Sequence, residues 1–221
     1  DAVSFAVRQG EIHALVGENG AGKTTLINLC GGVYAPDGGQ ILFEGRPVHI
    51  TSPRQAKEMG ISIVNQEFPL CPSLSVAVNV ALAAGLESSH GFVNRRKMIE
   101  QAERILDMLD VPLNPQTIVR SLSIGQQQIV EIARALSARA RLVIMDEPTS
   151  ALNLKETRML FEVIHRLKQQ GVTIIYVSHR MEEVFELADR ITVLRDGRHI
   201  DTVDKASTTP TQIVNMMVGR E

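Results

Sequence analysis

Between an apolar run, Ile12-His13-Ala14-Leu15-Val16, and a second run rich in Leu and Ile lies Gly17-Glu18-Asn19-Gly20-Ala21-Gly22-Lys23-Thr24. The octet fits GxxxxGK[ST] without a mismatch. Its glycines let the backbone curl so that N–H groups converge on phosphate oxygens. Lys23 sets a compact positive charge against β- and γ-phosphates, and the Thr24 hydroxyl can ligate Mg2+. A helix from about Lys23 to Cys30 would turn its positive N-terminal end toward the same anion. The plainer reading is a glycine-rich turn. It does not account for a strand-like run before the loop and an apolar helix, with Leu26, Ile27 and Leu29, after it.

A loop of this kind sits at the edge of a parallel sheet, and other short apolar runs supply candidate strands. Leu142-Val143-Ile144-Met145 ends at Asp146, and residues 172–177 end at Ser178 and His179. Continuous apolar runs mark strands covered on both faces. In open α/β sheets ligands bind outside the carboxyl ends of the strands, and these runs bring polar or glycine residues to one such edge. Asp146 would hold Mg2+ through water. Glu147, one residue later, would face the γ-phosphate and orient or deprotonate the attacking water. Gln66 follows the strand-like Ile61-Ser62-Ile63-Val64. Taken alone, Gln66 reads as a loop residue and His179 as a structural histidine. The other histidines have no such context.

The rest of the chain agrees with an α/β architecture. The length, 221 residues, suits one domain with room for a subdomain. Residues 1–66 mix strands with one helix, 67–138 read as mostly helical, and 139–221 alternate strand and helix. Apolar stripes at helical spacing mark four helices, through Met98, Ala102, Ile105 and Leu109; Ile129, Ile132 and Leu136; Leu160, Val163, Ile164 and Leu167; and Met181, Val184 and Phe185. Asn94 is placed to cap the first, and Asn153 with Glu156 forms a capping box for the third, which Gly171 closes. These stripes and most methionines read as core. Arg95-Arg96-Lys97 reads as a solvated face. Asp1-Ala2-Val3-Ser4-Phe5-Ala6-Val7 alternates like a strand already under way, so the chain reads as part of a longer one.

Composition removes several classes. Hydrophobic residues are 44% and charged residues 22%, ordinary values for a globular protein. Lys plus Arg number 23 against 25 Asp plus Glu, a net charge of −2, whereas proteins living by phosphate-backbone contacts are strongly basic. Cys30 and Cys71 form no CxxC pattern, so neither a disulfide framework nor a zinc site is expected. The most apolar stretch, residues 76–86, falls short of the roughly 18 residues a membrane span needs and carries Asn79.

Taken together, the motifs resemble the nucleotide-binding domain of ATP-binding-cassette (ABC) proteins. The distinctive piece is Leu122-Ser123-Ile124-Gly125-Gln126-Gln127-Gln128, which looks like that family's signature just before a helix. In chain order come the phosphate loop, Gln66 of the Q-loop, the signature, Asp146 and Glu147, the D-loop Ser150-Ala151-Leu152-Asn153, and His179 of the switch. Gly17-Glu18-Asn19-Gly20, Ile124, Ser178-His179-Arg180-Met181-Glu182-Glu183 and Met217-Val218-Gly219-Arg220 resemble monosaccharide importers, in particular the first of two fused cassettes.

The resemblance implies an α/β P-loop NTPase fold with a mixed, largely parallel sheet, an ATPase core of residues 1–66 and 139–221, and an inserted helical subdomain of 67–138. It implies that Gly17, Asn19, Gly20, Ala21, Gly22, Lys23, Thr24 and Thr25 hold ATP. Thr24, Gln66 and Asp146 would hold Mg2+, and Glu147, His179, Lys23 and Gln66 would serve hydrolysis. Two cassettes would close head to tail on two ATP molecules, with Ser123, Gly125 and Gln126 acting across the interface. Membrane-spanning permease subunits would dock near residues 67–95 on the cytoplasmic face of a bacterial inner membrane, and a substrate-binding protein would deliver a sugar. Ile124 and Asn153 depart from the family's usual glycine and aspartate; Asn153 can still cap a helix but carries no charge. The family's adenine-stacking aromatic residue would lie upstream of residue 1, with at least one strand. Other readings are a soluble ABC ATPase acting on DNA or ribosomes, and a non-hydrolysing nucleotide-binding module. Neither coiled-coil insertions nor basic extensions favour the former, and Lys23, Glu147 and His179 count against the latter.

Overall fold

A computed structural model of the chain describes residues 3–64, 70–85, 88–89 and 92–219. Chain order gives β1 (Ile12–Val16), α1 (Lys23–Cys30), β2 (Ile41–Phe43), β3 (Arg46–Val48), α2 (Pro53–Glu58) and β4 (Ile61–Val64). Then come α3 (Val76–Ala84), β5 (Ser88–Ser89), β6 (Phe92–Val93), α4 (Arg95–Met108) and α5 (Ile124–Ser137). The last part holds β7 (Leu142–Asp146), α6 (Leu154–Gln169), β8 (Thr173–Val177), α7 (Met181–Leu187), β9 (Arg190–Arg195), β10 (Arg198–Asp204) and α8 (Pro210–Val218).

The main sheet has six strands in the order β10-β9-β1-β8-β7-β4, parallel except where β10 returns antiparallel to β9. The parallel strands β1, β7 and β8 are apolar and buried along most of their length, as covering on both faces demands. Tight turns join the hairpins. Glu44-Gly45 links β2 to β3 and Asp196-Gly197 links β9 to β10, with positive φ at both residues of each pair (51° and 74°, 50° and 72°), the backbone a two-residue hairpin requires.

Helix starts follow the capping rules. Ser52, Ser75, Asn94, Ser123, Asn153 and Thr209 each accept a backbone N–H from the first turn of the helix they precede. Gly171, at φ 80°, follows the end of α6. Alternate residues of each strand face opposite layers. Ile12, Val143, Met145, Ile174 and Tyr176 pack under α5 and α6 in one continuous apolar cluster that also takes in α3 and α4. Leu15, Ile144, Ile175 and Val177 face Ile27 of α1 on the other side. The helical stretch thus shares its core with the sheet. Ala14, Val16, Ile191 and Val193 pack with Val184 of α7 and Ile213 of α8.

The alternation at the start of the chain is realised in exposure only. Val3, Phe5 and Val7 are half-buried while Ser4 and Ala6 are exposed, yet residues 3–8 join no strand. Val3 and Val7 rest on the cluster beneath α1, and an extended segment lying on a core shows period two without a pairing partner. Arg95 and Arg96 are exposed as expected of a solvated face, with Arg96 paired to Glu100 one turn on.

Candidate functional site

Parallel pairing brings the ends of β1, β8 and β7 side by side. Leu15 and Asp146 both lie across from Val177 in the ladder, so Gly17, Glu147 and Ser178 leave the sheet at one edge. The phosphate loop is held there by close approach. Gly17 lies so near β9 that a Cβ would stand 2.5 Å from the Leu194 carbonyl oxygen and 2.9 Å from the Ala21 Cβ. Gly20 and Gly22 adopt φ of 86° and 100°, which L side chains rarely reach. The turn after β9 adds a further tie, with the Gly197 N–H donating to the Ala21 carbonyl at 3.2 Å.

Lys23 opens α1 and is buried, with Nζ donating to the carbonyls of Gly17 at 2.8 Å and Glu18 at 3.1 Å. Asn19, Gly20, Thr24 and Thr25 are exposed on the open side of the loop, while Gly17 and Ala21 are buried beneath it. Asp146 ends β7. Burial, and then the neighbouring Glu147 carboxylate, push its pKa up, and Lys23 opposes them. Asp146 at the end of β7 and Thr24 on the open side of the loop carry oxygen donors of the kind that could hold Mg2+. Gln66 lies outside the described residues. No group of three or more His, Cys, Asp and Glu side chains fit for a metal occurs among the described residues.

Glu147 takes φ 45°, a left-handed conformation that costs a non-glycine residue about 1 kcal/mol or more. The backbone is fixed there by the Glu147 N–H to the Val177 carbonyl at 2.9 Å and the Ser150 N–H to the Glu147 carbonyl at 3.2 Å. This conformation turns the carboxylate toward the end of β8, where Glu147 Oε1 meets His179 Nδ1 at 2.8 Å. A carboxylate hydrogen-bonded to an imidazole beside a phosphate loop can align water and take its proton.

Ser123, Gly125 and Gln126 gather at a different place, the N-terminus of α5. Ser123 and Gln126 form a capping box, with the Gln126 N–H to Ser123 Oγ at 3.3 Å and the Ser123 N–H to Gln126 Oε1 at 3.0 Å. Glu156 of α6 joins this group to the D-loop. Its Oε1 accepts the Gly125 N–H at 3.2 Å, and its Oε2 accepts Asn153 Nδ2 at 2.8 Å and the Asn153 N–H at 3.2 Å. A hydrogen bond from the Ser123 side chain, followed by the one from Asn153, holds the Glu156 carboxyl below its ordinary pKa. Gly125 is required for this approach, since a Cβ would lie 2.8 Å from the Glu156 Cβ. Ile124 and Leu154 are exposed next to the same group, Leu154 by 78%.

The hydroxyl cluster behind Glu147 and His179, formed by Thr149, Tyr176 and Ser178 on Glu183, could not be read from the chain's local patterns. Its members are scattered over 34 residues, and Glu183 is one of three glutamates in α7, so nothing local singles it out. The docking surface expected near residues 67–95 falls partly outside the described residues. The neighbouring groove, of about 540 Å3, is lined from α2 by Arg54 and Lys57, from α3 by Leu82, from α4 by Lys97 and Met98, and past α5 by Arg139. No helix of the described residues is long and apolar enough to cross a membrane.

Comparison with known proteins agrees with this geometry. The family model described as ABC transporter matches residues 1–150. Over 219 residues, 99% of the chain, it is 53% identical to an Agrobacterium fabrum protein named for ribose/galactose/methyl galactoside import ATP binding. It is 49% identical over the same length to a ribose import ATP-binding protein of Ruegeria sp.. The chain spans 43% of the length of each of these relatives. Among solved structures, the ADP conformation of MJ1267, an ATP-binding cassette of an ABC transporter, aligns over 100% of this chain and 92% of its own, with TM-score 0.84 and 27% identity. The dimeric structure of MJ0796, a bacterial ABC transporter cassette, aligns over 92% of this chain and 89% of its own, with TM-score 0.76 and 26% identity. Sequence and fold thus lead to one assignment: the chain belongs to the ABC transporter family and forms one of its ATP-binding cassettes.

Proposed function

We propose that the chain binds and hydrolyses ATP to drive uptake of a sugar, a monosaccharide by the names of its relatives, through a membrane permease. The observation that carries the hydrolytic reading is the Glu147–His179 contact of 2.8 Å at the edge where Lys23 opens α1. Lys23 and the loop N–H groups bind the phosphates. Glu147 accepts the proton of the attacking water, and His179 steadies that carboxylate and faces the γ-phosphate. Thr24, Asp146 and Gln66 are the proposed Mg2+ ligands. When bound, Mg2+ would neutralise phosphate charge there.

The remaining roles follow from the family. Ser123, Gly125 and Gln126 would meet the γ-phosphate held by a second cassette, which we infer to be fused in a longer polypeptide. The exposed Ile124 and Leu154 beside them would be covered in that sandwich. Residues 1–66 and 139–221 would act as the ATPase core and 67–138 as the helical part that carries the signature. The groove lined by Arg54, Lys57, Lys97 and Arg139 would receive the permease, peripheral to the cytoplasmic face of the inner membrane. A substrate-binding protein, upstream of the permease, would select the sugar.

Phosphate release from Mg-ATP tests the reading. The chain should release phosphate, and Glu147→Gln should lower release about 100-fold or more while leaving ATP affinity intact. Equal release by both proteins overturns the role of Glu147. No release by the unaltered chain, with ATP bound, overturns hydrolysis and leaves a nucleotide-binding module.

A further inference from the structure

Behind the Glu147–His179 pair lies a second carboxylate. Glu183 sits in the first turn of α7 and is 4% exposed. A carboxylate taken so far out of water stays charged only if donors replace the lost solvent. The Thr149 hydroxyl lies 2.7 Å from its Oε1 and 2.8 Å from its Oε2. The Tyr176 hydroxyl donates to Oε2 at 2.8 Å and the Ser178 hydroxyl to the same oxygen at 3.1 Å. The Arg180 guanidinium reaches Oε1 at 2.7 Å from the solvent side. Tyr176 keeps its proton for this purpose, because burial and then the nearby Glu183 charge push its ionisation far up.

The positions of these donors give the cluster its meaning. Thr149 comes two residues after Glu147, in the turn that leads to the D-loop, and its carbonyl accepts the Leu152 N–H at 3.0 Å. Ser178 directly precedes His179 and also accepts the Arg180 N–H at 3.0 Å. One carboxylate therefore grips the turn two residues past the proposed base and the residue just before its histidine. A buried apolar residue would fill the same space, and a polar cluster in its place fixes direction as well as volume. Glu147 needs that fixing, because its φ of 45° is not one a non-glycine residue holds unaided.

We propose that Glu183 is a positioning residue for hydrolysis, clamping Thr149 and Ser178 so that Glu147 and His179 meet at hydrogen-bonding distance; the rate part of this proposal rests on the hydrolytic reading above. Glu183 touches neither ATP nor water in this role. Loosening the clamp lets the base and the histidine drift apart, and small misplacements of that kind cost up to about 100-fold in rate.

The test compares Thr149→Val, which removes one hydroxyl at nearly constant volume, with Thr149→Ser, which keeps it, and adds Ser178→Ala and Glu183→Gln. Each variant of this chain is assayed for ATPase kinetics, for thermal unfolding, and for the ring-nitrogen chemical shifts of His179 in 15N-labelled protein. In the unaltered chain those shifts should report the tautomer protonated at Nδ1, as the bond to Glu147 requires. Thr149→Val, Ser178→Ala and Glu183→Gln should lower kcat about 10- to 100-fold with KM for ATP within about two-fold. They should also move the His179 shifts toward those of free imidazole. Thr149→Ser should recover most of the rate and the shifts. Folded Thr149→Val and Ser178→Ala proteins with unchanged kcat and unchanged His179 shifts overturn the clamp. A rise in KM alone does so as well, and so does a Thr149→Ser protein as slow as Thr149→Val. If Glu183→Gln does not fold, the two hydroxyl deletions decide. If the unaltered chain releases no phosphate, the hydrolytic reading fails, and the His179 shifts alone decide whether Glu183 sets the pair.

Discussion

Gly17 and Gly125 both lack a side chain because something else occupies the space, but the neighbours differ. At Gly17 the obstacle is backbone, the Leu194 carbonyl oxygen 2.5 Å from the site of an added Cβ. A strand in the middle of a sheet cannot step aside. Gly17→Ala should therefore cost about 2–3 kcal/mol in urea unfolding and weaken ATP binding with it. At Gly125 the obstacle is the Glu156 side chain. Gly125→Ala should leave ATP binding by the phosphate loop within about two-fold, because the loop is built elsewhere, while displacing Glu156 from the signature. Equal loss of ATP affinity in both variants would contradict this separation. The glycines of the loop were legible in the sequence because their spacing is a local pattern. The reason for Gly17 in particular was not, since Leu194 stands far along the chain.

Elements divide in the same way. Helix starts at Asn94 and Asn153 and the end at Gly171 could be read from residues within one turn, because capping is a short-range exchange of backbone for side-chain hydrogen bonds. What ties elements together could not. Asp189 is one such tie: its Oδ2 accepts the Ile12 N–H of β1 at 2.9 Å, and its Oδ1 accepts Lys168 Nζ of α6 at 2.6 Å. Burial works to raise the Asp189 pKa, but the hydrogen bonds from Lys168 and Ile12 outweigh it and hold the carboxyl below its ordinary value. A depressed folded pKa gives stability that is present above the unfolded value, about 3.9, and is lost as pH falls through the folded one. Asp189→Asn should thus destabilise by about 1 kcal/mol near neutral pH. Urea unfolding at pH 7 and pH 3 should find the gap between variant and parent narrowed at the acid end; a gap independent of pH would remove the charge from the explanation.

At the level of the whole molecule, the parallel sheet with helices on both faces was legible because apolar runs and helical stripes alternate along the chain. The sheet order was not, because nothing in β1 states that β8 and β9 will flank it. The segment 3–8 marks the limit of pattern reading, since period-two exposure arises from lying on a core as well as from pairing. The split site, with the phosphate loop on one group of elements and the Ser123–Glu156 group on another, asks for a second cassette. Light scattering on Glu147→Gln, which should retain ATP, ought to find the mass doubled on adding Mg-ATP and not without it. A mass that stays at one chain under saturating Mg-ATP would mean that this chain's own signature does not complete its own phosphate loop.

The seating of the phosphate loop against β9 also sets an order of events during synthesis. β1 and the loop leave the ribosome long before the Leu194 carbonyl that stands beside Gly17 and the Gly197 N–H that meets Ala21, which belong to the β9–β10 hairpin. A nascent chain halted before β9 holds an unpaired strand edge and a loop without its floor. Competence to grip a nucleotide is thus deferred until β9 and the turn after it exist, and a ribosome-stalled chain ending short of β9 presents β1 to chaperones and proteases instead.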